Sequence, residues 1–297
     1  MVMKSGAGSA AVLRARLAEG RILTIPGCFD AMSAKLVESA GFDAAYVSGY
    51  AVSATQIGLP DAGLLSYREM LDQARDIAGA VSIPLIGDAD TGFGNPVNVR
   101  RTVKGFADAG IACIMLEDQV FPKRCGFAKG VEVVPRAEAL TRLQAALDMR
   151  DEIRADGGDV LILARTDSRV AEGLEEALWR CEAFADRGAD IVYFEGPQSR
   201  REMEALCRRV SVPKLLAQLE RDGRPLLSPK EAEAIGYQCL LFGVTLLNVS
   251  IRAMRDALAL MAHGNHPGPD RLLGFDELYE TVGFDWYYGL EERYRSE

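Results

Sequence analysis

Eight short apolar runs, each followed by a stretch with helical spacing, constrain this chain more than any other feature. They read "ILTIPG" (22–27), "AAYVSG" (44–49), "IPLIGD" (83–88), "CIMLED" (113–118), "VLILAR" (160–165), "DIVYFEG" (190–196), "PKLLAQL" (213–219) and "CLLFGV" (239–244). A strand that is apolar on both faces must be covered on both, as in a parallel sheet clothed by helices. The segments between them, such as "DAMSAKLVESAG", "NVRRTVKGFADAG", "RAEALTRLQAALDMRDEIRADG", "LEEALWRCEAFADRG" and "SPKEAEAIG", carry apolar residues at helical spacing. Several end at Gly, the residue expected just past a helix. Strand then helix, eight times over, predicts a (β/α)8 TIM barrel, whose closure removes the sheet edges. A doubly wound open sheet is the structural alternative; eight parallel units and the lack of a G-x-G-x-x-G fingerprint favour the barrel.

With 297 residues and 48% apolar content the chain has ample material for one such core. No Pro/Gly/Ser-rich linker divides it, so residues 1–262 are expected to form the barrel and 263–297 a C-terminal helical arm. The aromatic stretch "FDELYETVGFDWYYGLEERY" in that arm would leave a dense apolar patch exposed on a lone subunit, and an arm exchanged between subunits is the expected remedy. A net charge of −9, with Lys and Arg scattered, argues against nucleic acid and against a basic membrane patch. The N-terminus has no signal-peptide apolar core and no run reaches the roughly 20 residues of a spanning helix, so a cytoplasmic protein without a membrane partner is expected.

In a barrel the site forms at the C-terminal strand ends. Those ends supply Asp30, Ser48 and Gly49, Asp88 and Asp90, Glu117 and Asp118, Arg165 and Asp167, Glu195, and Gln218. Three of the carboxylates, Asp88, Asp90 and Glu117, are hard oxygen ligands suited to Mg²⁺ or Mn²⁺. Arg165 could clamp a substrate carboxylate or pair structurally with Asp167, and Glu195 could orient that Arg. A Ser-His-Asp arrangement is not available, because the two His, His263 and His266, lie together near the arm. The six Cys show no C-x-x-C spacing; only Cys125, among Lys123, Arg124 and Gly126, sits where nearby cations favour a thiolate.

Together "PGCFDAMSAKLVESAGFDAAYVSGYAVSATQIGLPDAGLL", "DADTGFGN", "LEDQVFPKRCG" and "ARTDSR" resemble the isocitrate lyase and phosphoenolpyruvate mutase superfamily, nearest to its 2-methylisocitrate and 2,3-dimethylmalate lyase branch. The resemblance covers roughly residues 20 to 250 and implies a Mg²⁺-dependent lyase. Such an enzyme cleaves a carbon–carbon bond in a 2-hydroxy di- or tricarboxylate, giving an α-keto acid and a second carboxylate through an enolate. It further implies that Asp88, Asp90 and Glu117 hold the metal, partly through water, and that Ser48, Gly49 and backbone at Gly126 bind the keto-acid portion. Asp61 would sit near the metal, Arg165, Glu195 and Gln218 would complete the pocket, and Cys125, on a mobile loop, would be the general acid. Members of the family are typically homotetramers, dimers of dimers, that exchange a C-terminal helix. The alternative within the superfamily is an oxaloacetate decarboxylase or 3-substituted-pyruvate hydrolase.

Two departures bear on the substrate. The lyase branch typically reads KRCGH, where this chain has Phe127 in place of the His, and the stretch after the seventh strand reads "LAQLERDGRPLL", with Gln218 in place of an Asn. The resemblance implies that the first favours a substrate with a more apolar substituent, and that the second, at positions that ordinarily recognise the distal carboxylate, argues against methylisocitrate itself.

Overall fold

The structure is a computed structural model and describes residues 6–126, 128–221 and 223–295. All eight apolar runs are strands: β1 (Leu23–Cys28), β2 (Ala45–Val47), β3 (Leu85–Asp88), β4 (Cys113–Glu117), β5 (Leu161–Thr166), β6 (Ile191–Phe194), β7 (Leu215–Ala217) and β8 (Cys239–Phe242). Every pairing is parallel, and the sheet runs β6-β5-β4-β3-β2-β1-β8-β7. The circle is nearly closed. Between β6 and β7 only the bridge of Val192 with Lys214 joins the edges, where Val192 N–H donates to the Pro213 carbonyl at 3.0 Å.

The predicted helices form at their places, and three of them have a start signal in the sequence. Asp30 caps Ala31–Ser39, Asn95 caps Pro96–Asp108 and Ser228 caps Pro229–Ile235, each in a reciprocal capping box. Arg136–Ala155 and Leu174–Arg187 complete the set read from the sequence. The sequence reading did not include the first helix, Gly6–Ala18, whose Ala10, Leu13 and Leu17 are buried in the cluster that fills the barrel interior.

Side chains alternate across each strand, so one register faces the barrel axis and the other the helices. The inward set contains Leu23, Ile25, Tyr46, Ile86, Cys113, Met115, Leu161, Leu163, Ile191, Tyr193, Cys239 and Leu241; the outward set packs with the helices in a second cluster. This parity decides which rim residues reach the barrel mouth.

The chain divides into two compact units, one ending at Leu246 and one beginning at Leu247; the helix Thr245–Ala262 spans the division. In the second unit, helices Phe275–Val282 and Phe284–Arg293 form a hairpin in which the Tyr279 and Phe284 rings stack at 3.9 Å. Leu273, Phe275, Trp286 and Tyr287 of this hairpin region are exposed. No described helix is long and apolar enough to cross a membrane.

Candidate active site

Extending the inward register to the rim gives Ser48 two residues beyond Tyr46, Asp88 beyond Ile86, Glu117 beyond Met115, Arg165 and Asp167 beyond Leu163, and Glu195 beyond Tyr193. Parallel pairing places Glu117 beside Arg165, and Arg165 beside Tyr193. On β1 and β8 the same register is Gly27 and Gly243. A Cβ on Gly27 would lie 2.2 Å from the Gly243 carbonyl oxygen, so these strands contribute space rather than side chains.

The resulting pocket is lined by Ser48, Asp61, Asp88, Cys125, Gly126, Arg165, Glu195 and Gln218, eight of the eleven residues read from the sequence as site residues. Gly49, Asp90 and Glu117 stand just behind them. The Gly49 N–H donates to Asp88 Oδ2 at 3.3 Å, and a Cβ on Gly49 would come within 2.7 Å of that oxygen. Only Gly permits this approach. Asp90 is left-handed, with φ 47°, a strained conformation for a residue with a side chain. Its N–H donates to Asp88 Oδ1 at 3.1 Å, so the turn that strains Asp90 also fixes Asp88.

Arg165 is held by Asp167 in a bidentate pair, at 2.9 Å from Nε and 2.8 Å from an Nη, with Glu117 at 3.4 Å and Glu195 at 3.5 Å. The structural-pair reading of "ARTD" is therefore realised, while Arg165 still faces the pocket. Asp118, in the opposite register, is turned away. It accepts from Arg180 at 2.9 Å and from the Asp167 N–H at 3.0 Å, as a strut behind the site. Gln218 lines the pocket, but its amide group pairs with the backbone of Leu227, donating to the carbonyl and accepting from the N–H, and so clasps the loop that follows β7.

The loop carrying Cys125 lies over this floor. The Gln119 side chain donates to the Arg124 carbonyl and accepts from the Arg124 N–H, both at 2.8 Å, and the Cys125 N–H donates to the Asp61 carbonyl at 3.0 Å. Gly126 packs so tightly that a Cβ there would come within 2.5 to 2.7 Å of Glu195, Arg165 and Asp167. Phe127, the departure noted in the sequence, lies outside the described residues.

Lys123, which the sequence suggested only as a nearby cation, is 3% exposed and bridges Asp61 and Asp90. Around the mouth, Asp61, Asp88, Asp90, Glu117, Asp167 and Glu195 thus face, among the described residues, the cations Lys123 and Arg165. Burial pushes the Asp90 carboxyl up to about 6; Lys123 opposes the shift, and Asp88 and Asp61 add to it. Burial likewise raises Glu117 well above the ordinary range, against the pull of Arg165 and Lys123. Burial alone would lower Arg165, but Asp167 and Glu117 reverse this and hold it well above its usual value.

Excess buried negative charge and an all-oxygen donor set fit a hard cation. Among the described residues no three His, Cys, Asp or Glu side chains form a chelating group by themselves. A cation that keeps several waters or substrate oxygens suits such a site, and Mg²⁺ is the usual one.

Residues 13–262 match the family described as phosphoenolpyruvate phosphomutase. The chain is 38% identical to a 2,3-dimethylmalate lyase of Eubacterium barkeri over 290 residues, covering 97% of this chain and 99% of the relative. It belongs to the phosphoenolpyruvate phosphomutase family. A solved 2,3-dimethylmalate lyase, described as a PEP mutase/isocitrate lyase superfamily member, superposes on this family member with a TM-score of 0.90 at 33% identity, covering 99% of this chain and 96% of that one. An oxaloacetate acetylhydrolase bound to 3,3-difluorooxalacetate also superposes at 0.90 and 33%, covering 97% and 96%.

Two residues of this phosphomutase-family site escaped the sequence reading. Tyr46 is 4% exposed and donates its hydroxyl to Asp88 Oδ2 at 2.8 Å; Tyr193 is 2% exposed and donates to Glu195 Oε2. Burial raises both phenols well above their ordinary value, which keeps them protonated donors. The signal was register. Each stands two residues before a rim residue on an inward face, where an aromatic body fills the barrel and its polar tip reaches the site.

Proposed function

We propose that this chain is a Mg²⁺-dependent lyase that breaks the C2–C3 bond of a 2-hydroxy dicarboxylate bearing alkyl groups at C2 and C3, of the 2,3-dimethylmalate type. One observation carries the reading: Cys125 and Gly126 line the same pocket as Asp88, Arg165 and Glu195. The apolar wall of Met115, Ala217, Leu219, Leu241 and Val244 favours a branched alkyl group over a third carboxylate. Arg165 is the one cation among the described lining residues, and Asp167 already engages it.

Asp88, Asp90 and Glu117 would hold Mg²⁺, partly through water, with Mn²⁺ as a substitute; when bound it supplies positive charge that stabilises the developing oxyanion at C2. The Ser48 hydroxyl and the Gly126 N–H are assigned to the carboxylate of the keto-acid half, and the Gly49 amide to fixing Asp88. Arg165, held flat by Asp167, neutralises the negative charge that cleavage shifts onto the leaving half. Asp61, paired with Lys123, receives the hydroxyl proton. The Cys125 thiol then delivers a proton to the carbon of the nascent enolate. The loop excludes water from that carbon while Gly126 lies on Arg165 and Glu195.

The second reading is an oxaloacetate decarboxylase or 3-substituted-pyruvate hydrolase, favoured by the likeness to oxaloacetate acetylhydrolase. A screen of 2,3-dimethylmalate, 2-methylisocitrate and oxaloacetate with Mg²⁺, following keto acid, oxalate and acetate, separates the two. Turnover of oxaloacetate alone would refute the lyase assignment.

The exposed Phe275, Trp286 and Tyr287 support assembly through the arm into a homotetramer. Removing residues from about 270 onward is expected to lower the oligomer order in ultracentrifugation. None of the six Cys is in a disulfide, which suits the reducing cytoplasm.

A further inference from the structure

Behind the wall formed by Glu117 and Arg165, on the side away from the substrate pocket, lies a second, small cavity. It is lined by Thr91, Glu117, Asp118, Arg142 and Arg165 together with apolar residues such as Leu143 and Phe184. Thr91 Oγ1, Glu117 Oε1 and Arg142 Nε are all buried without a hydrogen-bond partner among the described residues, and all three side chains line this one cavity. Thr91 is 1% and Glu117 4% exposed, so bulk solvent does not serve them. Leaving such groups unpaired costs about 1–3 kcal/mol each, more where the group is charged. Their meeting at one void therefore calls for an occupant.

The chemistry selects it. The space open to the centre of a water molecule is ≈ 20 Å³, against the roughly 10–15 Å³ that one water requires. Arg142 Nε–H can only donate, Glu117 Oε1 in the ionised carboxylate paired with Arg165 accepts, and the Thr91 hydroxyl can do either. A cation would meet the Arg142 guanidinium and an anion the Glu117 carboxylate, whereas a neutral molecule that both donates and accepts satisfies all three.

We propose that this cavity binds a single ordered water, which accepts from Arg142 Nε–H, donates to Glu117 Oε1 and shares a hydrogen bond with Thr91 Oγ1, and which thereby fixes the orientation of the Glu117 carboxylate. The site also ties Glu117 to the loop. Arg142 donates from an Nη to the Gln119 carbonyl at 3.1 Å, and the Gln119 side chain holds the backbone of Arg124 between Lys123 and Cys125. The water is the missing link between the carboxylate assigned to the metal and the residue that anchors the loop. Thr91 and Arg142 are positioning residues: they act through Glu117 and touch no substrate.

The test has two arms. A crystal structure that resolves solvent should show a peak within about 3.2 Å of Glu117 Oε1, Thr91 Oγ1 and Arg142 Nε. Direct contact of Arg142 Nε with Glu117, or a cavity without density, overturns the proposal. In solution, Mn²⁺ alone, without substrate, is titrated into the intact protein by electron paramagnetic resonance. Thr91→Val, nearly isosteric but without the hydroxyl, should weaken Mn²⁺ binding about tenfold, and Thr91→Ser should restore it. Both variants should melt within a few degrees of the parent. Equal Mn²⁺ affinity in all three proteins overturns the positioning role. If the parent binds no Mn²⁺, the metal assignment fails and the crystallographic arm still decides the water.

Discussion

The two ends of the barrel use the same strands and the same residue types to opposite effect. At the N-terminal end of β5 and β6, Asp159 and Asp190 are met by Arg14, Arg150 and Arg154. Asp190 further accepts from the Ile162 N–H at 2.9 Å, and Arg150 donates to the Gly188 carbonyl at 2.8 Å. Here every charge meets opposite charge and ordinary backbone. At the C-terminal end of those strands, Arg165, Asp167 and Glu195 join a cluster with too many carboxylates, a strained Asp90 and raised carboxyl pKa values. Balanced ion networks hold the fold, whereas an unbalanced cluster of carboxylates stores electrostatic tension that a bound cation would relieve.

If that contrast holds, damage at the mouth removes activity and spares stability, and damage at the base does the reverse. The largest effect expected is from exhaustive chelation. It should abolish turnover, with recovery on adding Mg²⁺ or Mn²⁺, while the circular dichroism spectrum stays unchanged. Full activity in excess chelator would remove the metal from the mouth altogether. Next, Cys125→Ser should lower kcat roughly 10²–10⁴-fold, the usual contribution of a general acid. Substrate Kd should hardly move, because the proposed proton transfer from the thiol is made to the nascent enolate and not to the bound substrate. Wild-type turnover in that variant would favour solvent protonation and the decarboxylase reading.

At the base, Asp190→Asn should cost about 3 kcal/mol in denaturant unfolding, since it leaves guanidinium groups without their counter-charge in a largely buried site. Its kcat/KM should stay within twofold of the parent. A larger loss of activity than of stability would break the comparison. The smallest effect is expected where the two functions meet. Tyr46 belongs to the barrel interior and also donates to Asp88, so Tyr46→Phe should cost about 1 kcal/mol of stability. If Asp88 holds the metal as proposed, the substitution should also weaken metal binding several-fold in calorimetry, as loss of a hydrogen bond to a ligating carboxylate does.

The sequence by itself determined the barrel. Eight runs apolar on both faces, without a G-x-G-x-x-G fingerprint, favour a closed barrel over an open sheet, and start signals such as Asp30, Asn95 and Ser228 mark intervening helices. It also determined the list of rim residues, because strand ends are visible in one dimension. It could not show which rim residues turn inward, since the parity of a short buried strand carries no polar alternation to read. Register alone sends Glu117 to the mouth and Asp118 to Arg180. Nor could it pair residues far apart in the chain: Lys123 with Asp61 and Asp90, Tyr46 with Asp88, or Thr91 and Arg142 with the cavity behind Glu117. Those meetings depend on closure of the sheet, which brings strand ends from distant parts of the sequence within a few ångströms, and only the tertiary structure contains that closure.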